Sequence, residues 1–346
     1  MSAAEAVAAV MFVGVLLYAV FGGADFGSGV WDLTAGGTKR GAPLRRLVDH
    51  AIGPVWEANH VWLIFVLVLM WTGFPDGFAA LMRSVAVPFW LAGLGIVIRG
   101  AAFAYRKFSP TLRWAKVAGA SFAVASLITP FFFGTIAGAV ASGRIRQQAP
   151  AGSEHVTVWL NPTSVLGGVL ATVTCTFLAG VFLTTEAARL GDADLTEELR
   201  RKTLIGAAAT GVVALAGIPV LAADADTLFD RLTGRGLPLV LISAAAGSAT
   251  IWLLWTRRLA RARLTGALAV AAIVAGWGVA QFPWIMVDTL TIDAAAGAPA
   301  TMTALLVAAA VAAVLVVPPL AYLLRLADTN QIGEAEPPAP ASTAIE

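Results

Sequence analysis

This sequence is poor in charge, cysteine and histidine. Asp, Glu, Lys and Arg make up 13% of its 346 residues. Soluble domains carry roughly 25%, so the composition excludes an ordinary water-soluble globular class. A single cysteine, Cys175, leaves no intrachain disulfide and no cysteine-ligated metal site. The three histidines, His50, His60 and His155, are scattered, so a metal centre is not expected. No basic residue precedes the first apolar run and Glu5 is acidic, so a cleavable signal peptide is not expected. Basic or low-complexity tracts that would point to nucleic acid are missing.

What is present is apolar sequence. Hydrophobic residues make up 58% of the chain and mean hydropathy is +0.80. Apolar runs of about 20 residues recur along its length, as transmembrane helices require. The runs predict nine helices, at about 6–31, 54–72, 77–98, 115–140, 163–183, 204–221, 237–255, 264–280 and 301–324. Pro130 is expected to kink the fourth, and Pro318 and Pro319 to disturb the end of the ninth. A short basic loop is expected between the first two. Of the 23 Lys and Arg residues, 18 fall on the side reached after the odd-numbered helices. The positive-inside rule then places the N-terminus outside and the C-terminus in the cytoplasm. Trp31, Trp56, Trp71, Trp159, Trp255 and Trp284 fall near helix ends, as an aromatic belt would. Gly23 and Gly27 suit close packing of the first helix on a neighbour.

The expected fold class is therefore an all-α polytopic membrane protein. A transmembrane domain over 1–326 comprises two four-helix bundles, about 1–143 and 160–283, and a peripheral ninth helix at about 301–325. Residues 327–346 form a polar, Pro- and Ala-rich tail expected to be disordered in the cytoplasm. The pseudo-repeat rests on helices one and five each carrying an acid near the cytoplasmic end, Asp25 and Glu186.

Acids in hydrocarbon are costly and usually functional. Asp25 lies in the cytoplasmic third of a Gly-rich helix. It reads either as a boundary acid balanced by loop cations or as a protonatable relay. Glu57 falls in the first turn after Pro54, where the helix dipole favours an acid. It also shares a helix face with His60, three residues on, and Asn59 adds a polar group beside them. Arg99, at the cytoplasmic end of helix three, reads either as a snorkelling arginine or as the group that holds one of these acids. Consecutive helices pack side by side, so Asp25, Glu57 and His60 are expected to form one cytoplasm-facing chain.

Gly23-Ala24-Asp25-Phe26-Gly27-Ser28-Gly29, with Gly53-Pro54-Val55-Trp56-Glu57-Ala58-Asn59-His60-Val61-Trp62, resembles subunit II of the cytochrome bd quinol oxidases. The resemblance continues through Arg99 to Arg106 and recurs at Gly180 to Leu183 and at Leu290 to Ala296. It implies a bacterial cytoplasmic-membrane complex that oxidises quinol and reduces dioxygen to water. A partner, subunit I, would hold the quinol site, haem b and haem d, and this chain no haem. A small single-helix subunit and a bound structural quinone belong to the same expectation. Acids matching Asp25 and Glu57 would line a proton path from the cytoplasm, with His60 as a further relay and Asn59 and Arg99 in support. Two positions depart from the commoner pattern: Glu57 stands where many relatives have Asp, and His60 where they have Gln or Glu. Two other readings compete: a proton-coupled secondary transporter, which should gather polar groups near the midplane, and a structural scaffold whose acids are incidental.

Overall fold

The computed structural model describes residues 1–37, 39–52, 56–108, 111–147 and 154–328. The expected tail beyond 328 and Pro54 lie outside them, as does the side chain of Glu57. Among the described residues, eight helices are long and apolar enough to cross a membrane, and a ninth apolar helix is shorter. In chain order they are α1 (Ala3–Leu33), α2 (Trp56–Gly73), α3 (Pro75–Phe108), α4 (Leu112–Ala141), α5 (Pro162–Arg189), α6 (Ala193–Asp224), α7 (Leu237–Trp255), α8 (Leu259–Gln281) and α9 (Pro299–Asp328). The chain is an all-α polytopic membrane protein. Its only described strands, β1 (Trp284–Met286) and β2 (Leu290–Thr291), form a small antiparallel pair before α9.

Helix starts follow from local chemistry. Ser2 and Glu5 form a reciprocal capping box on α1. The Thr111, Asn161 and Asp192 side chains cap α4, α5 and α6. The 32 residues of α6 span about 48 Å at 1.5 Å per residue, well beyond a hydrocarbon core of about 30 Å. Its first turns carry Glu197, Glu198, Arg200, Arg201 and Lys202, paired at three- and four-residue spacing. These cations, expected in a loop, sit on a helix end that projects from the apolar layer.

α1, α4 and α5 pack together at the centre. A Cβ on Gly27 would lie 1.8 Å from the Cys175 carbonyl oxygen of α5, and one on Gly29 would lie 2.2 Å from the Ser126 side chain of α4. Only glycine permits these approaches, which bring polar groups of three helices within bonding distance. α3 flanks α4, while α6 and α8 flank α5 and α7 packs on α8. α9 lies against α1 and α2.

Several expectations change. The segment between α1 and α2 is not simply a basic loop: Ala42–Ile52 is helical. Leu44, Leu47 and Val48 are buried at i, i+3 and i+4, the apolar stripe of an amphipathic helix. α4 runs helically through Pro130 and α9 through Pro318 and Pro319. A break in helical backbone angles falls in α3, at Val85 (φ −120°, ψ 27°), three residues before Pro88, where a proline removes a helical hydrogen bond. Trp31 does not belong to an aromatic belt. It is buried, and its indole N–H donates to the Thr176 carbonyl at 2.9 Å. Trp71 and Trp255, at 66% and 74% exposure, fit the belt.

Candidate functional site

Asp25 is buried, and so is Arg99. The guanidinium Nη2 donates to Asp25 Oδ1 at 2.6 Å and to the Asp25 carbonyl at 3.1 Å, while Nε donates to Ser126 Oγ at 3.0 Å. The rings of Phe26 and Phe122 lie 5.1 and 4.9 Å from the guanidinium carbon, close enough for cation–π attraction. Arg99 is thus no snorkelling arginine: its donors and both neighbouring rings hold it inside the bundle. Asp25 Oδ2 has no hydrogen-bond partner. One oxygen of the carboxylate is fixed and the other is bare.

The backbone of α1 opens just above this pair. Tyr18–Gly22 is a π-helical segment inserted between two α-helical stretches, a feature common at functional sites. Asn59 of α2 donates its side-chain N–H to the Phe21 carbonyl within that segment at 3.4 Å. His60 of the same helix bonds through Nδ1 to the Trp56 carbonyl at 2.8 Å. Its ring packs edge-on against Tyr18 (6.2 Å) and Phe26 (5.9 Å). The structure therefore brings Asp25, Arg99, Asn59 and His60 to one place. Glu57 lies in the first turn of α2, and its carboxylate lies outside the described residues.

A second charged layer lies two turns farther along. Asp32 is buried, accepts from Arg45 Nε at 2.8 Å, and its other oxygen bonds to Arg106. Arg106 also bonds to Asp49, which ties the Ala42–Ile52 helix to α1 and α3. Phe122 lies under Arg106 as well as Arg99, 5.5 Å from the Arg106 guanidinium carbon. Asp25 and Asp32 are seven residues apart, as are Arg99 and Arg106. That spacing stacks like residues on one helix face about 10 Å apart. That spacing is the sequence signal for Asp32 and Arg106, which lie next to the charged segment rather than inside an apolar run. Tyr18 and Ser126 had no such signal. Glu186, the acid expected at the end of α5, pairs with Arg189 at 2.7 Å and lies 3.7 Å from His50.

Among the described residues, no group of three or more His, Cys, Asp or Glu side chains is arranged to hold a metal ion. The groups gathered here are a buried carboxylate held through one oxygen, an imidazole and a phenol.

The family model for cytochrome bd terminal oxidase subunit II matches residues 3–327. The chain belongs to that family. Subunit 2 of the cytochrome bd ubiquinol oxidase of Bacillus subtilis is 29% identical over 288 residues, covering 82% of this chain and 80% of the relative. Subunit 2 of the Escherichia coli K12 cytochrome bd-I ubiquinol oxidase is 28% identical over 172 residues, 46% of this chain and 43% of that one. A chain from the structure of the bd oxidase of Geobacillus thermodenitrificans superposes with a TM-score of 0.80 at 23% identity, covering 94% of this chain and 98% of that one. This last likeness speaks to the fold alone. As a bd terminal oxidase subunit II, the chain is one part of an oxidase complex, and the transporter alternative is set aside.

Proposed function

We propose that this subunit supports a haem-bearing subunit I in a bacterial cytoplasmic membrane and supplies part of the proton path for reduction of dioxygen with quinol as donor. The single observation that carries the reading is Asp25: a buried carboxylate with Oδ1 pinned by Arg99 and Oδ2 unpartnered. A merely structural ion pair gains from occupying both oxygens, because an unbonded buried polar atom costs about 1–3 kcal/mol. A proton carrier needs a free oxygen. Glu57, at the start of α2, is the companion acid in this reading, and His60, three residues on in the same helix, is the further relay. Haem b and haem d belong to the partner in this reading, which also admits a small single-helix subunit and a structural quinone. When bound, the haems supply the electron transfer to oxygen; this chain supplies the protonatable groups.

The test is quinol-dependent oxygen uptake by the purified complex carrying Asp25→Asn or Glu57→Gln. Turnover should fall at least several-fold at unchanged haem content. Parental turnover in both variants would remove the proton-path role and leave a scaffold.

A further inference from the structure

The buried, unpartnered polar atoms around the π-helical segment form a set. They are Tyr18 Oη, Asp25 Oδ2 and His60 Nε2. The Trp56 carbonyl can only accept, so His60 Nδ1 carries the hydrogen of their 2.8 Å bond, and in the neutral ring Nε2 is a bare acceptor. Asp25 Oδ2, as a carboxylate oxygen, is also a bare acceptor. Tyr18 brings the one hydroxyl donor of the three. Two acceptors and a donor are the complement of a water molecule, which donates twice and accepts, and buried waters typically make about three such bonds.

Position agrees with chemistry. Tyr18, Phe26 and His60 pack in T-shaped pairs, with ring centroids 6.2, 6.2 and 5.9 Å apart. Phe26 also lies 5.1 Å from the Arg99 guanidinium carbon, and Arg99 holds Asp25, which sets the carboxylate beside this group of rings. A 370 Å³ cavity, lined almost wholly by apolar side chains, among them those of α1, α4, α5, α6 and α8, reaches Tyr18, Gly23 and Phe26 but is not lined by Asp25 or His60. Apolar cavities stay dry, whereas the buried Tyr18, Asp25 and His60 atoms beside it offer the polar partners a water needs.

We infer that Tyr18, Asp25 and His60 enclose a hydrated node, with Tyr18 as its positioning residue. Tyr18 opens the π-helical segment, and Asn59 pairs with the Phe21 carbonyl inside it, which steadies that irregular turn. A proton taken up at His60 Nε2 passes through the node to Asp25 Oδ2. Imidazolium and carboxylate become imidazole and carboxylic acid, and charge is conserved. The inference rests on the proton-path reading and adds a residue to it.

Tyr18→Phe is the sharp test, because it keeps the ring that packs on Phe26, His60 and Phe133 and removes only the hydroxyl. In the purified complex it should slow quinol-dependent oxygen uptake several-fold and enlarge the ratio of rates in light and heavy water, with haem spectra unchanged. Parental rate and parental isotope ratio would overturn the node. If the variant fails to assemble, a high-resolution map of the parent complex decides. Density within hydrogen-bond distance of both Tyr18 Oη and Asp25 Oδ2 supports the node, and dry packing there overturns it. Asp25→Asn run alongside separates the two claims. A fully active Asp25→Asn refutes the proton path itself, whereas a slow Asp25→Asn with a normal Tyr18→Phe refutes only the node.

Discussion

Replacing Arg99 by methionine isolates what the buried pair contributes. The guanidinium and the carboxylate are each about 2% exposed and lie 2.6 Å apart. Methionine approximates the aliphatic stem but removes the bonds to Asp25 and Ser126 and the two ring contacts. Asp25 would be left with neither oxygen bonded by a side chain. Removing one member of such a pair costs about 3–5 kcal/mol, because the remaining charge is buried without compensation. Replacing both members by apolar residues is often neutral, or stabilising by about 1–4 kcal/mol. Arg99→Met should therefore unfold well below the parent, while the double variant Asp25→Leu/Arg99→Met recovers most of the loss. Thermal unfolding of the purified complex reads the first quantity and oxygen uptake the second. If Asp25 carries protons, the double variant is stable and slow. An Arg99→Met variant as stable as the parent would refute the energetic argument, and a double variant with parental turnover would refute the role given to Asp25.

Two further perturbations follow from the packing. Gly27→Ala places a methyl 1.8 Å from the Cys175 carbonyl, so α1 and α5 must separate, and the yield of assembled complex after mild detergent extraction should collapse. Asp224→Asn weakens a four-bond junction in which Arg144 donates at 2.7 and 3.0 Å and the Thr163 hydroxyl and amide at 2.6 and 3.0 Å. Hydrogen bonds to charged groups contribute about 1.5–3 kcal/mol, so the unfolding temperature of the complex should fall, without change in the haem spectrum.

The spans were legible because the bilayer fixes both length and composition, and Asp25 stood out for the same reason. Arg99 as its partner was one of two readings, and only the crossing of α1, α3 and α4 decides between them. The Ala42–Ile52 helix was hidden by its charge. Arg45, Arg46 and Asp49 read as a loop, although Leu44, Leu47 and Val48 already carried helical spacing. The π-helical turn at Tyr18–Gly22 was not legible at all. An extra residue in a helix leaves no compositional mark, and its apolar sequence suits an ordinary α-helix equally well. Trp31 was misread because a tryptophan near a helix end can face lipid or a neighbouring carbonyl, and sequence position does not distinguish them.

The two stacked aspartate–arginine pairs look alike in sequence but differ in one respect that separates their roles. Asp32 has both oxygens occupied, one by Arg45 and one by Arg106, and Arg106 extends the network to Asp49. Asp25 has Oδ1 held and Oδ2 free. A carboxylate with both oxygens bonded to cations is a clamp, here fastening the Ala42–Ile52 helix to α1 and α3. A carboxylate with one oxygen open can exchange a proton without first breaking a bond. Asp32→Asn should therefore loosen the clamp: a protease should cut the 34–52 segment faster, and the complex should unfold at lower temperature. Its turnover per intact, haem-loaded complex should stay near the parental rate. Asp25→Asn should show the reverse, with protease resistance retained and turnover lost. If Asp32→Asn proved as slow as Asp25→Asn while its 34–52 segment stayed protected, the lower pair would belong to the proton path, and occupancy of carboxylate oxygens would not distinguish clamp from carrier.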